Sequence, residues 1–355
     1  MLPQGWRILR ILLVRAPGIA ELRDSDPESQ AINTPRGRAI EALVNHALRV
    51  CRLRSKKKKP HAAVWAEMQD AFDEQLALCK NGNFDFSVLM AQYLANLDFL
   101  SPTWLEENFD AIFAQQYPDN FRCALAGLPY AQLTRRVYRL LADHGVLAAA
   151  LDTKPHGDRE GHRIVEFLCL AVLWGEEDLA SARFAKLFEV GREEQLTAAS
   201  DYFWSVRGDK LTLKQKAVIL EFWTKATAWA QYQKETPKTL LSHLGRLAVY
   251  LNSLDAKTAP LLAAVVPHAG TDYNFQIVVE ELSRLAPGNP AEASRILGLM
   301  LTAARPNYDM EDRLKTLLRF LAGHGERAAV LEYANQLMQS LPDMLVFYQE
   351  IAAGV

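Results

Sequence analysis

The chain has 355 residues, half of them hydrophobic, and its 40 basic and 42 acidic side chains leave a formal net charge of -2. This balance provides no global field that would attract nucleic acid or an anionic membrane, so any such binding has to be local. The length exceeds what one compact core usually holds and favours two domains or an elongated repeat structure. Because no stretch is as long and apolar as a membrane span, we expect no membrane partner.

The N-terminal part of the chain shows hydrophobic residues at three- and four-residue steps, which is typical of helices with one apolar face. A first helix is expected over residues 5–16, as the cap of an array or the end of a truncated protein. The clearest stripe follows over 32–53, with Thr34 as N-cap and Pro35 as the first helical residue. Further helices are expected over 62–79, 84–100, 102–113 after an N-cap at Ser101, 118–126 and 129–144.

A polar loop over 152–162 interrupts this pattern before a nearly all-apolar helix over 163–174. The second half of the chain repeats the helical theme with short loops, many of them marked by Pro or Gly. Its helices are expected near 178–190, 193–206, 212–232, 237–254, 258–266, 273–285, 290–304, 311–324 and 326–341, with a last one from residue 343.

The expected fold class is all-α. Short loops make consecutive helices antiparallel neighbours, and helix starts near 237, 273, 290 and 326 indicate a helix-pair spacing of roughly 35 residues. Tetratricopeptide and ankyrin consensus residues do not appear in register. The sequence therefore predicts an elongated, HEAT-like or irregular α-solenoid of antiparallel helix pairs, with an N-terminal part over 1–155 and a C-terminal part over 156–355. We expect one continuous array, with the boundary in the polar loop 152–162.

The usual catalytic signatures are missing from the sequence. It contains neither a GxxxxGK[ST] phosphate loop nor HExxH, GxSxG or a CxxC pair. We therefore predict that the chain is not an enzyme, with no catalytic residue and no cofactor. Cys51, Cys79, Cys123 and Cys169 each fall in an apolar helical pattern, which is typical of buried thiols in a reducing compartment, and we expect a cytoplasmic protein.

One segment concentrates potential metal ligands. His156, Asp158, Glu160 and His162 lie within seven positions of the polar loop, and imidazole and carboxylate are common zinc ligands. Neighbouring basic side chains oppose a divalent cation there, so a solvated loop is the favoured interpretation. A metal-dependent enzyme that uses His156, Asp158 and His162 remains the second alternative.

Basic residues are densest at the two ends of the helix over 32–53. One end carries Arg52, Arg54, Lys56, Lys57, Lys58 and Lys59, and the other carries Arg36 and Arg38. The favoured interpretation is a solvated turn, and the leading alternative is a nucleic-acid-binding helical repeat that contacts phosphates with this run. The first-turn amides beside Arg36 and Arg38 could hold an anion, although pairing of these arginines with Asp26 or Glu28 is favoured.

Residues 26–49, DPESQAINTPRGRAIEALVNHALR, resemble helical-repeat regions of large bacterial multidomain proteins, and residues 307–338 share their general style. In those proteins a sirtuin-like or STAND-type NTPase effector precedes a long helical arm, and several are associated with antiphage defence. The resemblance implies a scaffold or sensor arm that binds a protein partner or phage component on its concave surface. It also implies that any catalytic domain lies on a missing N-terminal portion.

Overall fold

A computed structural model describes residues 3–22, 26–58, 60–153, 158–189, 192–270 and 273–354. All regular secondary structure in these ranges is helical, which confirms the predicted all-α class. The chain divides into two compact units, Met1–Glu176 and Glu177–Val355. The division falls after the apolar helix that follows the polar loop 152–162.

The helices of unit 1 differ widely in length, and several begin at a proline. They are α1 (Pro3–Arg15), α2 (Pro27–Asn33), α3 (Pro35–Lys56), α4 (Ala62–Ala77), α5 (Phe84–Gln92), α6 (Leu94–Leu100), α7 (Pro102–Ile112), α8 (Pro118–Gly127), α9 (Arg135–Asp143), α10 (Val146–Asp152) and α11 (Asp158–Trp174). Two predicted N-caps are confirmed: the Thr34 hydroxyl accepts a hydrogen bond from the amide of Gly37 (2.8 Å), and that of Ser101 accepts one from the amide of Trp104 (3.2 Å).

Helix α5 lies at the centre of unit 1. Its residues from Asp85 to Ala91 are all buried, and it contacts α2, α3 and α8. The predicted single helix over 84–100 is wrong, because the chain bends at Tyr93 between α5 and α6. The bend allows α5 to pack on α8 while α6 contacts α7 and α9. The stripe of α3 is buried as predicted, from Ile40 to Cys51.

The polar segment before α11 differs from the sequence prediction. The loop expected over 152–162 is wrong in its second half, because α11 already begins at Asp158. The helix expected over 178–190 is wrong at its start, because the chain becomes helical only at Ala182 and continues as a 3-10 turn over Lys186–Phe188. There, Asp178 accepts a hydrogen bond from the Ala180 amide (2.6 Å), and this turn replaces the first helical turn.

Unit 2 contains a second series of helices, many of them joined by short turns. They are α12 (Ala182–Ala185), α13 (Glu193–Ser205), α14 (Leu213–Gln231), α15 (Lys238–Gly245), α16 (Ala259–Val265), α17 (Tyr273–Leu285), α18 (Pro290–Ala303), α19 (Arg313–Leu321), α20 (Arg327–Leu337) and α21 (Met344–Ala353). Helices α13, α15, α17 and α19 contact one another in succession, and so do α14, α16, α18 and α20. From α13 to α20, each helix therefore contacts the helix two positions along the chain.

Among the described residues, no helix is both long enough and apolar enough to cross a bilayer.

Candidate functional site

The basic residues predicted at the end of α3 are exposed. Arg52, Arg54, Lys56, Lys57 and Lys58 all face solvent, and Lys59 lies outside the described residues. Leu53 sits among them with 52% of its surface exposed. Together with Val50, Arg54 and Lys57 it lines a cleft of about 340 Å³. This end of α3 combines positive charge with an apolar side chain.

Arg36 and Arg38 lie at the opposite end of α3 and make contacts within unit 1. The Nε of Arg36 donates to the carbonyl of Ala16 (3.1 Å), and Arg38 pairs with Glu41 (3.1 Å). At about 1.5 Å per residue, some 30 Å of helix separates Arg36 from Lys56. The structure therefore does not bring the two groups of cations into one patch.

Gly37 allows close packing of α3 against α2. A Cβ on Gly37 would lie 1.8 Å from the carbonyl oxygen of Ala31 in α2, so the space above its backbone is already filled. The neighbouring Thr34 hydroxyl occupies the Gly37 amide. The absent side chain allows α2 and α3 to meet at a tight corner.

Asp85 is a buried polar residue that the sequence analysis missed. It is 1% exposed, and its carboxylate accepts hydrogen bonds from the Ile19 amide (3.0 Å) and from the Thr34 hydroxyl. These bonds join the connector after α1, the start of α3 and the central helix α5. An acidic residue inside the apolar run NFDFSVLM was the available signal. Asp85 fixes a junction of three segments.

A second polar network links α4, α5 and α8 inside unit 1. Asn120 donates to the Ser87 hydroxyl (2.8 Å), and Asn83 donates to the side-chain oxygen of Gln75 (3.2 Å). Cys79 lies beside this network and lines a cleft of about 380 Å³. Burial raises its pKa to about 11, so the thiol stays protonated at neutral pH and is a poor nucleophile.

The remaining cysteines are also core residues. As predicted, all four are free and buried. Burial raises the pKa of Cys123 to about 12 and that of Cys51 above its usual range. These environments favour packing over thiolate chemistry.

The predicted metal ligands are only partly described. His156 lies outside the described residues, and Asp158 and His162 fall in α11, where the side chain of Asp158 is also outside the description. The neighbouring Arg163 pairs with Glu166 (2.5 Å) and lies over the ring of Phe167. Among the side chains that the structure does describe, no three His, Cys, Asp or Glu converge as a metal site. The solvated loop stays the favoured interpretation, and the metal site stays the second alternative.

Helix α1 adds a surface that the sequence did not connect with the basic run. Helix α1 runs antiparallel to α3. Near its start, the ring of Trp6 contacts that of His46 (5.6 Å between centroids), and just after its end the Pro17 carbonyl accepts a hydrogen bond from the Arg36 amide (3.1 Å). Partial burial and the nearby Arg49 charge lower the pKa of His46. The basic end of α3 therefore continues past the first turn of α1.

The side chains that α1 leaves exposed are mainly aliphatic. Ile8, Ile11, Leu12 and Val14 each keep between 46% and 64% of their surface in solvent. Four such residues on one helix are more than the scattered single apolar side chains of an ordinary surface, and this is the candidate functional site of unit 1.

Comparisons with known proteins provide no relative from which a role can be transferred, because no family model, no curated protein and no solved structure matches the chain.

Proposed function

We propose that this chain is a non-catalytic helical-repeat scaffold or sensor arm, a HEAT-like α-solenoid that binds another protein. The observation that carries the proposal is a recurring spacing among the side-chain hydrogen bonds that join segments distant in the chain. In both units many of these bonds join residues 31 to 41 positions apart. This range surrounds the spacing of roughly 35 residues predicted from the helix starts.

Individual bonds support a repeat interface in each unit. In unit 1, Trp104 Nε1 donates to Asp73 (2.6 Å). In unit 2, Asn289 donates to the carbonyl of Leu254 (3.0 Å), and the Tyr333 hydroxyl donates to the carbonyl of Ser294 (3.0 Å). The two successions of alternate helices in unit 2 support the same arrangement, because each helix buries its apolar face against array neighbours. In such arrays function resides on the extended surface.

The exposed aliphatic side chains of α1 favour a protein as the bound partner. Apolar surface left in water is stabilised when another protein covers it. The resemblance at residues 26–49 extends the proposal to a sensor arm in a bacterial defence protein, whose partner would be a host or phage protein.

The second candidate function is nucleic-acid binding, and the exposure of Arg52, Arg54 and Lys56 to Lys58 favours it. Five cations at the end of one helix can release counterions from a phosphate backbone. A protein partner with acidic residues fits the same cations, and the exposed Leu53 among them favours a protein.

Photocrosslinking in the cells that make the protein separates these functions. Ile11, Leu53, Leu213 and Val346, all exposed, are replaced one at a time by p-benzoylphenylalanine in the full chain. We expect adducts that protease removes and nuclease leaves intact. If no position gives such an adduct, the scaffold proposal is wrong. Nuclease-sensitive adducts at position 53 would establish the second candidate instead, provided that they disappear in a variant with Lys56→Glu, Lys57→Glu and Lys58→Glu together.

A further inference from the structure

Helix α1 is packed on one side only. Leu9, Leu13 and Ala16 are buried, and the helix contacts α3 along this side. Its contact with α4 includes the ion pair of Arg10 with Glu74 (2.5 Å) and a bond from the Gln75 side chain to the Leu13 carbonyl (3.3 Å). The rest of its circumference faces solvent.

We name the solvent side the outer face of α1. It consists of the exposed residues Arg7, Ile8, Ile11, Leu12, Val14 and Arg15. At about 100° per residue, Arg7 projects between Val14 and Ile11, and Arg15 projects between Ile11 and Ile8. Around the helix axis the two arginines therefore lie within the aliphatic arc, and along the axis they lie at its two ends.

The charged residues of the outer face itself are all basic. Helix α1 contains three arginines and no acidic residue. Beyond its first turn, the basic end of α3 adds further exposed cations from Arg52 to Lys58. The ten residues between His46, which contacts Trp6, and Lys56 correspond to about 15 Å of helix. An elongated ligand along α1 can therefore also reach these cations.

We propose that the outer face of α1 binds an amphipathic helix of a partner protein, with an apolar stripe flanked by acidic residues. The aliphatic side chains receive the stripe, and Arg7 and Arg15 pair with carboxylates beside it. A protein helix fits better than a lipid surface, because inserting this face into hydrocarbon would bury the two guanidinium groups without partners. The inference rests on the proposed scaffold function and specifies one of its binding sites.

Three designed peptides test this site by fluorescence anisotropy with the full chain at physiological salt. Each is a labelled helix of about 18 residues, long enough to span α1. The first has leucines at i, i+3, i+4 and i+7 flanked by Glu, the second has Lys in place of every Glu, and the third has Ser in place of every Leu. We expect the first peptide to bind at least about tenfold more tightly than either of the others.

Variants of the outer face separate its apolar and charged contributions. Ile11→Gln with Val14→Gln should weaken binding of the Glu peptide by about tenfold or more. Arg7→Glu with Arg15→Glu should reverse the preference, so that the Lys peptide binds more tightly than the Glu peptide. Leu213→Gln with Lys214→Glu is the matched control, since both residues are exposed on unit 2, and it should change neither affinity. All replaced side chains are exposed, and circular dichroism verifies that helicity is retained.

Four results would overturn the inference. The first is equal binding of the Glu and Lys peptides, and the second is binding that the Ile11→Gln, Val14→Gln variant does not weaken. The third is sedimentation with phosphatidylglycerol vesicles that this variant abolishes, which would identify a lipid surface as the ligand. The fourth is a dimer in analytical ultracentrifugation that the same variant dissociates, which would identify a second copy. If any of these four results were accompanied by protein adducts at other positions in the crosslinking experiment, the inference about α1 would be wrong but the scaffold proposal would still be supported.

Discussion

Replacing Asp85 by alanine is expected to lower the free energy of unfolding of unit 1 by about 2–4 kcal/mol. The substitution removes the acceptor for the Ile19 amide and for the Thr34 hydroxyl, and both donor residues are partly buried. Each buried polar group that loses its partner costs about 1–3 kcal/mol. Urea unfolding followed by circular dichroism measures the change, and hydrogen exchange should show faster exchange of the Ile19 amide.

Two variants control for this prediction. Asp85→Asn keeps the shape and one acceptor oxygen, so its effect should be smaller than that of Asp85→Ala. Asp70→Ala removes an exposed carboxylate from α4 in the same unit and should change stability by less than about 0.5 kcal/mol. An Asp85→Ala protein as stable as the Asp70→Ala protein would contradict the role of Asp85 at the junction.

The second large effect is expected at the crossing of α5 and α8. A Cβ on Gly127 would lie 2.0 Å from the carbonyl oxygen of Val88, so Gly127→Ala forces the two helix backbones apart. Overpacking of this kind costs about 1–3 kcal/mol, and separation of the central helix adds the loss of neighbouring contacts. The gain in helix propensity from alanine, about 1 kcal/mol, offsets only part of this. We expect a lower urea midpoint for unit 1.

Gly323→Ala is the control for Gly127→Ala. A Cβ at Gly323 meets nothing within 4 Å, so this substitution should leave the unfolding of the chain unchanged or slightly stabilise it. Equal urea midpoints for the two variants would show that α5 and α8 do not depend on their close contact at Gly127.

Much of the local structure could be predicted from the sequence because it depends on local chemistry. Apolar spacing identified most helices, and the hydroxyls of Thr34 and Ser101 marked two helix starts. The break at Tyr93 and the roles of Asp85 and Gly127 depend on segments far away in the chain. Their causes are tertiary contacts, which periodicity does not encode.

The candidate site likewise has features that could be predicted from the sequence and features that could not. Exposure of the basic run could be predicted, because consecutive lysines after an amphipathic helix belong in water. The position of the basic run next to α1 could not be predicted, because it depends on the contact of Trp6 with His46 and on the antiparallel alignment of α1 and α3. The amphipathic pattern of α1 was visible, but only the packing of α1 shows which of its residues stay exposed.

Hydrogen exchange on the full chain with Asn289→Ala tests most directly whether the helices form an array of nearest neighbours. Asn289 caps α18 by accepting a hydrogen bond from the Glu292 amide (3.3 Å) and also donates to the Leu254 carbonyl (3.0 Å). In an array of repeats such a defect affects only adjacent units. We predict faster exchange in α16 and α18, with unchanged exchange in α13 and throughout unit 1. A uniform increase across all helices of unit 2 would contradict the proposed repeat architecture.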